Sequence, residues 1–191
     1  MVFVVTIMKI YTLRIVLRGI SPMIWRRVEV PGRTSLAQLH YVIQTIYGGD
    51  DENLHQFHIY GKDYGINYDG GLGYSDNAHK MYLDNFVFDA GDKFSYEYNF
   101  FEHWMHDIRV EKIEESIKNN DLFYCTKGSG MFGADKSDEI KLMAKLIKLI
   151  IDNKKSTSRQ ELSDLIDKLN AIRFNRKLIN KQLNELKSNH L

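Results

Sequence analysis

Alternating hydrophobic and polar positions dominate the first part of the chain and predict a sheet. Every second residue over 11–17 is apolar, which is typical of a half-buried strand. A turn at 19–22 leads into a second run at 23–30, so the two runs predict a β-hairpin. Further strands are predicted at 54–60, 93–100 and 104–113, with a loop at 62–77 and a short strand or helical turn at 81–88. The last two strands predict a second hairpin.

One helix is predicted between the second and third strands. Ser35 precedes residues of helical spacing, and Gln38 three positions later completes a capping box. Glycines 48 and 49 end the helix. The apolar stripe of this helix consists of Leu36, Leu39, Ile43 and Ile46. The order strand, strand, helix, strand is similar to that of β-grasp domains, and it predicts an α+β fold: a β-grasp-like mixed sheet with one crossing helix.

The C-terminal part has helical periodicity instead. Helices are predicted at about 137–152, 158–172 and 175–187, and the apolar face of the last includes Leu178 and Leu183. These patterns predict three units: an α+β domain at 9–115, a glycine-containing connector at 116–136, and a helical extension at 137–191 that packs on the domain.

Composition narrows the class of protein. The chain has 191 residues, of which 43% are hydrophobic and 27% charged, as in ordinary soluble globular proteins. Its net charge of +1 means that binding to nucleic acid or to an acidic membrane would need a local patch. Cys125 is the single cysteine, which excludes an internal disulfide framework and a Cys-rich zinc site. We expect a cytoplasmic protein with no membrane association.

The first eight residues are apolar but are followed at once by Lys9, which argues against a signal peptide. Met8 could serve as the natural start as well as Met1, because the patterned domain begins near Lys9.

Six polar or aromatic residues are predicted to cluster on the inner face of the sheet. Arg26 shares a strand face with Ile24 and Val28, so its charge must be paired or hydrogen-bonded. The same strand parity turns five more side chains inward: His55, Tyr96, Tyr98, Trp104 and His106. Two interpretations remain open. The cluster is a structural network in which Arg26 is buried against backbone carbonyls or a tyrosine, or it is a pocket where Arg26 holds an anionic ligand.

Metal and cofactor sites have little support in the sequence. His55 lies three residues before His58, a spacing that places the two on opposite faces of a strand. His55 and His106 would be the ligands if a metal were bound, but none is predicted. A GxGxxG match begins at Gly128 without the parallel βαβ unit that dinucleotide binding requires, so no cofactor is predicted either.

Basic residues in the predicted C-terminal helices suggest phosphate contacts or, more simply, a solvated face. They are Lys141, Lys145, Lys148, Arg173, Arg176, Lys177 and Lys181. The sequence has no helix-turn-helix or zinc-finger motif and no catalytic triad.

Motifs spread over about 9–113 resemble the plasmid pRiA4b ORF-three-like family. They include Leu17-Arg18-Gly19, Ile24-Trp25-Arg26-Arg27-Val28, Leu36-Ala37-Gln38-Leu39-His40, Leu54-His55-Gln56-Phe57, Tyr96-Glu97-Tyr98 and Trp104 with His106-Asp107-Ile108. The chain departs from the family at 101–103, where a Gly/Asp-rich turn is usual, and at 127–134, where proline and a second cysteine are missing. The resemblance implies no settled activity, although relatives are often labelled as mobile-element passengers.

The preferred hypothesis is a non-enzymatic binding or interaction module whose partner is a protein or a small anionic ligand. One alternative is an enzyme with a small His/Arg/Tyr site, including a metal-assisted hydrolase. Another is an accessory nucleic-acid-binding protein of mobile DNA.

Overall fold

The protein is built around a seven-stranded sheet. The structure is a computed structural model that describes residues 7–21, 23–117, 123–130 and 174–190. The strands are β1 (Met8–Leu17), β2 (Trp25–Pro31), β3 (His55–Ile59), β4 (Lys62–Tyr64), β5 (Lys93–Tyr98), β6 (Trp104–Ser116) and β7 (Tyr124–Ser129). The helices are α1 (Leu36–Tyr47) and α2 (Arg176–His190), with a 3-10 helix at Leu83–Phe86. The strand order is β4-β3-β5-β6-β1-β2-β7.

The α+β class is confirmed, but the expectation of a mixed sheet is wrong. Every pairing between the described strands is antiparallel. Both predicted hairpins form, β1 with β2 and β5 with β6. The β-grasp likeness is not confirmed. Hydrophobic periodicity shows which face of the sheet a residue occupies, but it does not show whether neighbouring strands are parallel or antiparallel.

Helix α1 forms as its sequence predicts and covers the inner face of the sheet. The Ser35 side chain accepts from the Gln38 N–H, and the Gln38 side chain accepts from the Ser35 N–H. Gly48 ends the helix with φ +63°, a conformation that glycine adopts without strain. The apolar stripe, Leu39 and Ile43 included, is buried against the sheet. The predicted crossing helix is therefore confirmed.

Two strands form where loops were expected. Part of the predicted 62–77 loop is β4, and part of the 116–136 connector is β7, which completes the sheet beside β2. Glycines suggested a loop at β7, but Gly128 has a packing role there. A Cβ at Gly128 would lie 2.6 Å from the Phe174 ring, so glycine permits the close approach. The 81–88 segment contains the 3-10 helix.

Helix α2 confirms the last predicted helix and packs on β7 and α1, whereas the predicted helices at 137–152 and 158–172 lie outside the described residues. Leu183 is buried as expected, but Leu178 is 40% exposed and Ile179 takes the inward position. Ile179 and Leu183 are four residues apart on one helix face, and Leu178 lies about 100° away from Ile179. Neither α1 nor α2 is long and apolar enough to cross a membrane.

Asn180 fastens α2 to the edge of the sheet. The Cys125 N–H donates to Asn180 Oδ1 at 2.7 Å, and Asn180 Nδ2 donates to the Cys125 carbonyl at 3.0 Å. This amide thus satisfies backbone groups that an edge strand would otherwise present to another chain. Just before α2, the Phe174 N–H donates to the Gly130 carbonyl at 3.1 Å, so the chain returns to the point where β7 ends.

Candidate functional site

The predicted inward residues form a line beneath α1 instead of one pocket. Ring centroids lie 5.9 Å apart for His55 and Tyr96, 5.5 Å for Tyr96 and His106, and 4.8 Å for His106 and Tyr47. The Arg26 guanidinium lies 5.1 Å from the Tyr47 ring centroid and ends the line. Arg26 and His55 are on β2 and β3, which four strand steps separate, or about 19 Å. They cannot contact one small ligand together.

Arg26 is fully buried and bonded to backbone carbonyls, which confirms that expectation. Its Nε donates to the Ile46 carbonyl at 3.0 Å, and Nη1 donates to the carbonyls of Trp25 at 3.0 Å and Ser129 at 2.7 Å. The guanidinium also lies 5.0 Å from the Phe174 ring centroid. Ile46 is in the last turn of α1, where carbonyls lack intrahelical donors and a cation is favourable. The geometry favours the structural interpretation of Arg26.

His40 on α1 is the centre of a buried hydrogen-bond network with Tyr96, Asp51 and Gln44. Its role in the site was not predicted from the sequence. Its Nδ1 is 2.7 Å from the Tyr96 hydroxyl, and its Nε2 is 2.6 Å from an Asp51 carboxylate oxygen. Gln44 Nε2 donates to the same hydroxyl at 2.9 Å. A carboxylate only accepts, so the network places the His40 proton on Nε2, and the Tyr96 hydroxyl donates to Nδ1. Burial lowers the pKa of His40, with Asp51 opposing part of the effect.

His55 stacks on His40 and is the least satisfied group of the cluster. The two ring centroids are 3.5 Å apart at an interplanar angle of 10°. The His55 residue is 2% exposed, and within the described residues neither ring nitrogen has a hydrogen-bond partner. Burial, and then the neighbouring His40, lower the pKa of His55 to about 2, so its ring is neutral. A buried donor left unpaired costs about 1–3 kcal/mol.

Tyr98 holds the loop that follows α1. Its hydroxyl donates to Asp50 at 2.5 Å and accepts from the backbone N–H groups of Glu52 at 3.0 Å and Asn53 at 3.2 Å. Burial and then the bond to Asp50 raise the pKa of Tyr98. This predicted site residue therefore positions an acidic loop.

Trp104 is partly buried and packs against the core, and His106 Nδ1 is 3.1 Å from the Trp104 carbonyl. The Tyr96 ring separates His106 from His55, so these two histidines cannot share a metal ion. Across the described ranges, no group of three His, Cys, Asp or Glu side chains could hold one.

A groove of about 350 Å³ opens to solvent at the C-terminal end of α1, against α2. It is lined by Tyr41, Gln44, Thr45, Gly48, Gly49, Asp50, Asp51, Gln182, Glu185 and Leu186. Asp51 and Gln44 belong both to this lining and to the His40 network. The charged members of the lining are all acids, so the groove suits a cationic group. Sequence patterns could not reveal it, because its two sides are far apart in the chain.

The fold and the buried network define an antiparallel α+β domain whose ionisable side chains hold its interior together. The model of the family described as plasmid pRiA4b ORF-3-like protein matches residues 9–182. The chain therefore belongs to this family, and the resemblance seen in its motifs is confirmed. The match also reaches past β6 to β7 and part of α2.

One curated protein and one solved structure are similar to this chain. Uncharacterized protein y4hQ of Sinorhizobium fredii (strain NBRC 101917 / NGR234) is 32% identical over 107 residues, which are 55% of either chain. The chain thus spans about half the length of that curated relative. The crystal structure of a protein of unknown function, MM3350 from Methanosarcina mazei Go1, matches with a TM-score of 0.63 and 24% identity. That likeness covers 86% of this chain and 90% of the other, and it supports the fold alone.

Proposed function

We propose that this protein is a non-enzymatic binding module that takes a cationic group, such as a lysine or arginine side chain of a partner protein, into the groove beside α1. The observation that carries the proposal is the lining of that groove, whose charged residues are Asp50, Asp51 and Glu185. A groove of about 350 Å³ is at the small end of known ligand sites and suits one side chain.

Two of the three groove carboxylates, Asp50 and Asp51, are held in place before any ligand arrives. His40 Nε2 bonds Asp51, and the Tyr98 hydroxyl bonds Asp50. Fixed acceptors lose little conformational entropy on binding, which favours affinity. Gln182 adds a side-chain oxygen that is buried and has no hydrogen-bond partner in the described part of the protein. An ammonium or guanidinium group could donate to all of these acceptors.

The enzyme alternative is disfavoured by the burial of the described polar cluster beneath α1. Arg26, His40 and Tyr96 are fully buried, and each is engaged in the interior network. An anionic ligand at Arg26 has no support either, because backbone carbonyls already surround the guanidinium. Two further proposals concern the setting of the protein. A cytoplasmic location rests on the single cysteine, which is free and buried, and a link to mobile DNA rests on the family description.

Thermal melting with and without ligand tests the proposed groove. Arginine amide, spermidine and a short arginine-containing peptide should raise the melting temperature, whereas glutamate and phosphate should not. A response to the peptide but not to spermidine would favour a protein partner over a polyamine. Glu185→Gln should abolish the shift, and Glu102→Gln on the exposed β5–β6 turn should retain it. An equal shift in both variants, or a shift with anions, would contradict the proposal.

A further inference from the structure

Five cationic side chains form a row across five neighbouring strands on the face of the sheet opposite α1. In register, Lys127 of β7 faces Arg27 of β2, Arg27 faces Arg14 of β1, Arg14 faces Arg109 of β6, and Arg109 faces Lys93 of β5. We call these five residues the cation row. Five strands at the usual spacing give the row a length of about 19 Å.

The described residues neutralise the cation row poorly. Arg27 bonds Glu111 through Nε at 2.5 Å and Nη2 at 3.1 Å. Within the described ranges, the other four members form no ion pair. Like charges directly opposite each other destabilise a sheet. A row of them therefore opposes folding, and such local conflicts are expected where a surface has a function.

Aromatic side chains flank the cation row on both sides. Trp25 lies two residues before Arg27 on the same strand face, with the guanidinium groups of Arg14 and Arg27 at 5.2 and 5.5 Å from its ring centroid. On the other side of the row, Tyr124 pairs in register with Glu29 and is 45% exposed. The face thus combines a line of positive charge with ring surfaces.

We propose that the cation row binds the phosphate backbone of a single-stranded nucleic acid, with Trp25 and Tyr124 contacting its bases. A linear array of cations bordered by aromatic rings is the arrangement that single strands recognise without reading sequence. A duplex is less suited, because groove reading uses a protruding helix or ribbon and this surface is the broad face of a sheet. The site is on the opposite side of the sheet from α1 and does not depend on the acidic groove.

The charge of the whole protein does not produce this site. With a net charge of +1, any attraction for a polyanion must be local to the cation row. For single strands, the slope of log K against log salt is about −0.7 for each phosphate neutralised. Removing three members of the row should make that slope shallower by about 2.

Fluorescence anisotropy with a labelled oligothymidine over a range of salt concentrations tests the proposal on the full chain. The test variant is K93Q/R109Q/K127Q, which removes exposed cations that form no ion pair with any residue the structure describes. The matched control is K9Q/R33Q/K80Q, which removes the same charge from exposed positions outside the cation row. The test variant should lose most of its affinity and salt dependence, and the control should keep those of the wild type.

Folding of the test variant is checked by its melting temperature, which should be unchanged or higher because like-charge repulsion is relieved. If the triple variant fails to fold, R109Q alone should make the slope shallower by about 0.7. Equal losses in the test and control variants would overturn the proposal. So would wild-type binding to phosphatidylserine vesicles or polyglutamate that is as tight as binding to the oligonucleotide.

Discussion

Replacing His55 by phenylalanine should change how the stability of the protein depends on pH. In the folded protein, burial and the stacked His40 lower the pKa of His55 from 6.5 to about 2. A phenyl ring keeps an aromatic partner for His40 but cannot be protonated. The substitution therefore removes one titrating group while it retains the shape of the stack.

The size and sign of the effect follow from proton linkage. Below pH 6.5 the unfolded chain protonates His55 and the folded chain does not, so wild-type stability falls as the pH is lowered toward the folded pKa. Above pH 6.5 the contribution of His55 to stability is complete. At pH 5 the loss due to this residue is about 2 kcal/mol, and at pH 7.5 it is close to zero. As the pH is lowered from 7.5 to 5, the free energy of unfolding of His55→Phe should therefore rise by about 2 kcal/mol relative to that of the wild type.

Urea unfolding at several pH values measures this difference. The comparison of two profiles cancels any constant effect of the larger ring, since such an offset is the same at every pH. At neutral pH the variant also loses two ring nitrogens that lack hydrogen-bond partners among the described residues, which favours stability. His79→Gln, at an exposed loop position outside the stack, is the control and should follow the wild-type profile. Parallel profiles for His55→Phe and the wild type would refute the reasoning.

Four further substitutions test the packing and the helix cap. Arg26→Met should lower the free energy of unfolding by up to about 3 kcal/mol in urea titrations, because carbonyls lose their donor while a buried charge is removed; a greater loss would contradict this balance. Leu183→Ala should lower the free energy of unfolding by about 2–5 kcal/mol, because Leu183 is buried, and Leu178→Ala should lower it by less than about 1 kcal/mol. Equal effects of the two substitutions would show that α2 is not docked as described. Ser35→Ala should lower stability by about 1 kcal/mol through loss of the capping box, and an unchanged urea midpoint would show that this cap adds nothing.

Local sequence patterns predicted the elements of the fold better than their arrangement. The capping box at Ser35 and the glycine at 48 were sufficient to place α1, because both act within one turn of the chain. Strand β7 was missed because Gly128 within it and Gly130 just after it are typical of a loop, whereas Gly128 is explained by the packing of Phe174 against it. The antiparallel direction of all described pairings depends on how distant strands meet, which periodicity does not contain.

The candidate site was predicted in part. Strand parity correctly turned Arg26, His55 and Tyr96 inward, since successive side chains alternate between faces. His40 was available to the same reasoning, because it lies four residues after Leu36 and shares the buried side of α1. The acidic groove joins residues near 50 to residues near 185, and a contact of that range leaves no local signal.

The hydrogen bond from the Phe174 N–H to the Gly130 carbonyl has a consequence for how the chain could be rearranged. The backbone at 130 and the backbone at 174 meet there at 3.1 Å, so this hydrogen bond fixes the start of α2 beside the end of β7. A short glycine-containing link from 130 to 174 would close the gap with little loss of entropy. A chain with this link tests whether the junction itself holds the start of α2 against the end of β7.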